Sequence, residues 1–275
     1  MATRIIESKQ NARVKALRAA LLRPGRGDTK VVALEGLHLV SEAAQSGVEI
    51  ETVFVAHGSE NLITKLGISD SVEVLAMPQE VLDSAVSTES PQPIAALAQA
   101  RSWTWPDLIP APPSPSLIVL LAGIQDPGNL GTILRSAEAF GATGAVCLPG
   151  TVSPWNPKAM RASAGSIFRL PLIWAKPVRS FEALRAAGVQ TLAAMARDAQ
   201  SLGGHDLAKP VALLIGAEGS GIPPELAAQC DARVMIPCPG PVESLNAAVA
   251  ASVLLYEASR QRALTSPASK KQRHP

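Results

Sequence analysis

Asn129 and Arg135, Glu218, and Ser244 with Asn246 are the side chains whose types and settings could do chemistry in this sequence. They belong to three separate stretches: Gln125 to Gly131 with the segment after it, Gly216-Ala217-Glu218-Gly219-Ser220-Gly221, and Pro237 to Asn246. Each is rich in glycine or proline and each follows an apolar run. Glycine carries no side chain and accepts positive φ, so such turns let backbone N–H and C=O groups face a ligand closely. Nucleotide-like ligands are bound in this way, yet the usual fingerprints are missing. No G-x-G-x-x-G follows the first apolar run, and 216–221 lacks the Gly-Lys-Ser/Thr ending of a phosphate-binding loop.

These stretches need elements to position them. The run Leu117 to Ile124 is dense in Val, Ile and Leu and too short to span a membrane, so it reads as a strand buried on both faces of a parallel sheet. Strands are then expected at 144–148, 168–174, 189–195, 211–215 and 233–236, with helices at 129–140, 157–164 and 180–187, from Pro223, and from Ser244 to about Gln261. If the sheet is parallel, all three loops lie at its C-terminal edge, where open α/β sheets bind ligands. Upstream, a helix over 9–22 carries Val14, Leu17 and Leu21 on one stripe, with Arg13, Lys15 and Arg18 mostly off it. Strands at 31–34, 50–56, 72–77 and 94–98 make a small α/β domain. Five prolines between Trp103 and Ser116 mark a semi-extended linker. The expected division is a domain over 1–101, a linker over 102–115, a second α/β domain over 116–263, and a basic tail over 264–275.

The 275 residues, 47% hydrophobic, suffice for two cores. No apolar run reaches the roughly 20 residues of a membrane span and the first ten residues are polar, which places the protein in the cytoplasm. Cys147, Cys230 and Cys238 form no CxxC pair and His38, His57, His205 and His274 are scattered, so no disulfide framework and no metal are assigned; the cysteines are expected as buried thiols. Net charge is only +2, but residues 1–30 hold eight basic side chains against two acidic, and the end from Arg260 has no acid. Two basic ends on a near-neutral body suggest a polyanion, nucleic acid first, as partner.

The three motifs, in this order and spacing, resemble those of the SpoU (TrmH-type) family of SPOUT RNA methyltransferases: Asp126-Pro127-Gly128-Asn129-Leu130-Gly131 with Arg135, then 216–221, then Ile236-Pro237 and Glu243-Ser244-Leu245-Asn246 before an Ala-rich helix. The likeness covers about 117–260. Ser8, Asn11, Arg13, Val14 and Lys15, with Glu35-Gly36-Leu37-His38-Leu39-Val40, resemble the substrate-binding domain of ribosomal members. Arg161-Ala162-Ser163-Ala164-Gly165-Ser166 also matches a family segment, its small residues suggesting close packing near the RNA or a partner subunit.

The resemblance implies an enzyme that moves a methyl group from S-adenosylmethionine to a ribose 2′-hydroxyl, most readily in large-subunit ribosomal RNA, and without a metal. It implies a C-terminal parallel sheet with a deep trefoil knot, and a homodimer. By position Gly216, Ile236 and Leu245 hold the cofactor and Gly221 shapes the second loop; Arg135, Asn129, Glu218, Ser244 and Asn246 form the catalytic set; Asn11, Arg13, Lys15 and Arg18 meet RNA. A guanidinium is effectively always protonated, so Arg135 suits a phosphate clamp and alkoxide stabiliser better than a base. Asn129 either holds ribose or caps its helix, and Ser244 caps the last helix. Transfer RNA as substrate, a non-catalytic RNA-binding factor of ribosome assembly or antibiotic resistance, and a Rossmann-type nucleotide enzyme are the competing readings.

Overall fold

The computed structural model describes residues 3–22, 30–88 and 90–265. The chain divides into two compact units: Met1–Arg101 with Ser153–Arg169, and Ser102–Val152 with Leu170–Pro275.

In the first unit the order is β1 (Thr3–Ile5), α1 (Ala12–Leu22), β2 (Val31–Glu35), α2 (Leu37–Gln45), β3 (Ile50–Ala56), α3 (Asn61–Lys65), β4 (Glu73–Met77), α4 (Gln79–Asp83) and β5 (Ile94–Gln99). The strands line up as β1-β4-β3-β5-β2, with β5 antiparallel to both neighbours and the other pairs parallel. Val14, Leu17 and Leu21 of α1 are buried against Phe54, Leu75, Met77 and Leu97, as their spacing predicts. Burying each of those side chains is worth about 1.5–3 kcal/mol, far more than any exposed charge on the same helix. The strand β1 has no counterpart in the sequence reading; Ile5 is exposed, and parallel pairing with β4 holds the segment straight.

Residues 153–169 complete this unit. They hold α7 (Pro157–Ser163) and α8 (Ser166–Arg169). Phe168 is buried and stacks on Trp155 at 6.5 Å. Arg161 Nη1 lies 3.4 Å from Glu35 Oε2, and Arg169 Nη1 donates to Glu42 Oε2 at 2.6 Å. The Glu35 side chain is only 3% exposed, and a buried carboxylate must be paired. It also accepts from the Ser87 backbone N–H and, at 3.0 Å, the Ser87 hydroxyl. Gly165 sits against Glu42 so closely that a Cβ would fall 2.2 Å from its carboxylate. The close packing expected of 161–166 is therefore present, and it is against β2 and α2.

The second unit runs α5 (Trp105–Leu108), β6 (Leu117–Ala122), α6 (Pro127–Ala139), β7 (Gly144–Cys147), then β8 (Leu172–Trp174), α9 (Pro177–Ala186), β9 (Gln190–Ala194), β10 (Gln200–Ser201), β11 (Val211–Gly216), α10 (Pro224–Ala227), β12 (Ala232–Met235) and α11 (Ala247–Thr265). Its seven strands are all parallel, ordered β10-β12-β9-β11-β6-β7-β8. Every residue of β6 is buried because helices cover both faces. Ile118, Leu120 and Ala122 meet Leu108 of α5, Phe181 and Leu184 of α9 and Ala227 of α10. The alternate side chains turn to the other face, where α11 packs on α6 and β11.

Two expectations are corrected. The linker holds a short helix, α5, closed by a capping box between Thr104 and Asp107 and anchored by the buried Leu108. The run 168–174 is not one strand: α8 ends at Arg169 and β8 begins at Leu172, since Pro171 between them has no N–H for a ladder.

Arg262 of α11 ties this unit's strand starts together. Its guanidinium donates to the carbonyls of Leu207, Pro115, Ser116 and Lys209 at 2.8–3.1 Å, directly ahead of β6 and β11. Burial lowers its pKa, and it stays a cation. Arg262→Ala is expected to cost about 2–4 kcal/mol in urea unfolding, because four carbonyls lose a charged donor. Arg262→Lys should recover only part, an ammonium lacking the planar fork; a loss below about 0.5 kcal/mol for the alanine variant contradicts this role.

Candidate active site

The buried β6 delivers the first loop. Asp126 caps α6 by accepting from the Asn129 N–H at 2.8 Å, and Pro127 occupies the first turn, where its missing N–H costs nothing. The cap role open to Asn129 thus belongs to Asp126, which frees the Asn129 amide. That amide works in two directions: its Nδ2 donates to Glu218 Oε1, and its Oδ1 accepts from Asn246 Nδ2 at 3.2 Å. Three loops, 89 and 117 residues apart along the chain, meet on one side chain. Asn246 is itself fixed, because its Oδ1 accepts from the N–H groups of Ala248 and Val249 and so caps α11. This corrects the expectation for Ser244: the helix starts at Ala247, and Asn246 is its cap.

Beside this cluster lies a cavity of about 290 Å³. Gly216, Gly221, Ile236 and Leu245 all line it, with Glu218 and Ser244. The second loop folds back on itself, with the Gly221 N–H on the Ala217 carbonyl at 2.9 Å and Gly221 at φ +67°. A Cβ on Gly216 would lie 2.3 Å from the Gly221 carbonyl carbon, so only glycine closes this turn. Met195, at the end of β9, and Leu254, from α11, supply apolar walls that the sequence reading missed. The signal was available for Met195, since β9 is one more parallel strand ending at the ligand edge. For Leu254, on a helix apolar on many sides, there was none.

The remaining residues fall elsewhere. Arg135 is exposed on α6, six residues beyond Asn129 and so roughly 120° around the helix from it. It does not join the Asn129–Glu218–Asn246 cluster. In the first unit, Asn11 caps α1 by accepting from the Arg13 N–H, Arg13 pairs with Glu73 at 2.8 Å, and Arg18 donates to the Ser84 carbonyl and hydroxyl. Lys15 is exposed. Arg23, Arg26 and the tail lysines and arginine lie outside the described residues. Of the cysteines only Cys147 is fully buried, its thiol pushed up to about 12 by desolvation. Cys230 is half-buried, and burial pushes it up to about 11. Cys238, expected buried, is exposed where its loop borders the cavity.

An all-parallel sheet with three loops gathered at its C-terminal edge, and a fixed polar cluster beside an apolar cavity, defines an α/β protein that binds a small ligand there. The family follows from the comparisons. Residues 116–256 match the SpoU rRNA Methylase family and residues 11–96 the MRM3-like substrate binding domain; the chain belongs to the SpoU family. It is 30% identical to the 23S rRNA (guanosine(2553)-2′-O)-methyltransferase RlmP of Bacillus subtilis, over 91% of this chain and 97% of that one. Its fold matches an AdoMet-bound rRNA methyltransferase from Sinorhizobium meliloti with TM-score 0.83 at 32% identity, over 94% and 98% of the two chains. The SpoU methyltransferase AviRb of Streptomyces viridochromogenes, in complex with AdoMet, gives 0.80 at 30% identity, over 92% and 98%.

If Asn129 couples the loops, Asn129→Leu should leave β6 protected and speed amide hydrogen exchange in 216–221 and 237–246 by about tenfold, the equivalent of one or two lost hydrogen bonds. Equal exchange in both proteins removes Asn129 from that role.

Proposed function

We infer that this chain is an S-adenosylmethionine-dependent RNA methyltransferase acting on a ribose 2′-hydroxyl, with large-subunit ribosomal RNA as its substrate and the cytoplasm as its place of work. The observation that carries the reading is the bridge from Glu218 through Asn129 to Asn246 beside the cavity of Gly216, Gly221, Ile236 and Leu245. The cavity suits the cofactor on its own terms. Apolar walls fit an adenine and a thioether stem, and the side-chain-free edge at Gly216 leaves backbone groups open to a polar ligand. S-adenosylmethionine, when bound, supplies an electrophilic methyl group on a sulfonium.

The chain's own residues have three tasks: to hold the acceptor oxygen in line, to offset the negative charge on that oxygen as its proton passes to a carboxylate or water, and to fix the phosphate. Asn129, locked at both ends of its amide, is a rigid hydrogen-bonding post for the ribose. Glu218 is exposed and uses one carboxylate oxygen on Asn129, which leaves the other to accept from a ribose hydroxyl. Ser244 adds a hydroxyl at the cavity wall. Arg135, exposed on α6 outside this cluster, clamps the substrate phosphate next to the target ribose and through it offsets the charge that develops on the 2′-oxygen. Positioning and fixed charge of this kind supply most of the rate for a transfer that needs no covalent intermediate.

The dimer expected of the family also has a surface to form on. Val249 and Tyr256 of α11 are seven residues apart on one stripe and 50% and 55% exposed, and Tyr256 meets Phe140 edge-to-face at 5.7 Å. Sedimentation should give a dimer for the native chain and a monomer for Val249→Glu with Tyr256→Glu; a native monomer ends that reading.

Incubation with labelled S-adenosylmethionine and ribosomal RNA is expected to yield 2′-O-methyl nucleotides, with naked transfer RNA a poor competitor. Arg135→Ala should lower kcat by roughly 100-fold while cofactor affinity stays within about twofold. Label on base atoms, or full turnover by Arg135→Ala, contradicts the assignment.

A further inference from the structure

A second groove in the catalytic unit, away from the loops just described, has the composition of a nucleotide seat. It has a volume of about 660 Å³ and lies between α5 and α9 beside the edge strand β8. Trp105 and Trp174 flank it, Lys176 and Arg179 stand at its rim, and the small Ala183 leaves it open. Aromatic side chains make up only 3% of this chain, so two tryptophans in one open groove are a large share. Trp174 is 51% exposed at the end of β8, where the two residues before it are buried. Scattered exposed apolar residues need no explanation, but a half-exposed indole beside two cations, with a second, partly buried indole lining the same groove, does.

The platform is also held rigid. Thr104 and Asp107 close the capping box that starts α5, with both Thr104 groups donating to Asp107 Oδ2 at 2.7 Å. Leu108 is buried against Gly144, where a Cβ would fall 2.4 Å from its Cγ. Thr143 donates to the Leu108 carbonyl at 2.7 Å. At the other wall, α9 is preceded by Lys176, which makes no side-chain cap, and Pro177 has no N–H to offer. Its next N–H groups, with Lys176 and Arg179, favour an anion. Glu182 opposes this, but its pairing with Arg179 is long, 3.8 Å, and both side chains are well exposed, so the groove keeps a net positive charge.

We propose that this groove binds an unpaired nucleotide of the RNA substrate, its base stacked on Trp174 and Trp105 and its phosphate on Lys176, Arg179 and the start of α9. Strand geometry sets the scale. The parallel strands all end at the same edge, and β8 lies two strands from β6, roughly 10 Å. Only the Trp174–Lys176 end of the groove lies at that edge, since α5 packs on Gly144 at the start of β7, so a nucleotide held there belongs to an RNA segment outside the loop cluster. Stacking reads unpaired bases with little regard to sequence, so the groove selects for a single-stranded segment of the substrate.

This inference rests on the RNA reading above, and the experiment separates the two. Full-length protein is titrated with a fluorescent ten-nucleotide oligouridine, with the same oligomer lacking bases, and with ribosomal RNA. Trp174→Ala is expected to weaken oligouridine binding about tenfold, to leave the abasic oligomer unchanged, and to leave S-adenosylmethionine affinity and kcat as in the native enzyme. Trp174→Phe should restore most of the loss. Lys176→Ala with Arg179→Ala should lower the slope of log affinity against log salt by about 1 for both oligomers. Unchanged oligouridine binding by Trp174→Ala overturns the proposal, as does an equal loss for the abasic oligomer. So does a change in sedimentation, which makes the groove a seat for protein. Native protein that binds every RNA but methylates none sinks the enzyme assignment and leaves the groove standing.

Discussion

The amide of Asn129 is the interaction on which the site depends. A carboxamide donates from one end and accepts at the other, so a single side chain can bond a carboxylate and a second amide at once. Aspartate in its place lacks the donor for Glu218, and leucine lacks both. The bond pattern in turn requires that Asn129 itself not move. That is secured by the Asp126 cap, which fixes the first turn of α6, and behind it by β6, a strand with no exposed residue. Order is passed outward from a dry parallel sheet to a capped helix, then to an amide, and from there to two loops with little secondary structure of their own.

A similar economy holds in the first unit, where the buried carboxylate of Glu35 collects Ser87 and Arg161. Only Glu35 of this pair is buried, Arg161 being well exposed, so the pair adds little net stability, but loss of Arg161 leaves a buried carboxylate held by Ser87 alone. Such a pair enforces registry more than it stabilises. Here it obliges α7 to pack at one place on β2, and Glu42 with Arg169 and the side-chain-free Gly165 repeats the constraint one element further on.

Much of this was legible in the sequence where one physical demand dominated. The β6 run could only be a strand covered on both sides; Val14, Leu17 and Leu21 could only face a core; and Gly216, Gly221, Ile236 and Leu245 fell on loops that parallel strands must bring to one edge. What could not be read depended on contacts distant in sequence. Nothing local distinguishes Asn129 as a bridge from Asn129 as a cap, since Asp126 three residues earlier is as good a cap residue. Prolines around α5 hid a helix whose stability comes from one capping box and one buried leucine. The 168–174 run was ambiguous because short apolar stretches suit either period, and Pro171 was the clue that should have divided it. The second unit's excursion through 153–169 left no mark in composition at all.

That excursion has a consequence for the order in which the protein can be made. Residues 3–101 are made before residues 153–169, yet the face lined by Val32, Val48 and Ala100 is completed by Trp155 and Phe168. At roughly 5–20 residues per second, the interval between Arg101 and Arg169 is on the order of 3–14 s. During that time all five strands of the first unit have been synthesised and part of their covering has not, while β6 and β7 are already available to begin pairing. The two units therefore mature as overlapping rather than successive products of translation.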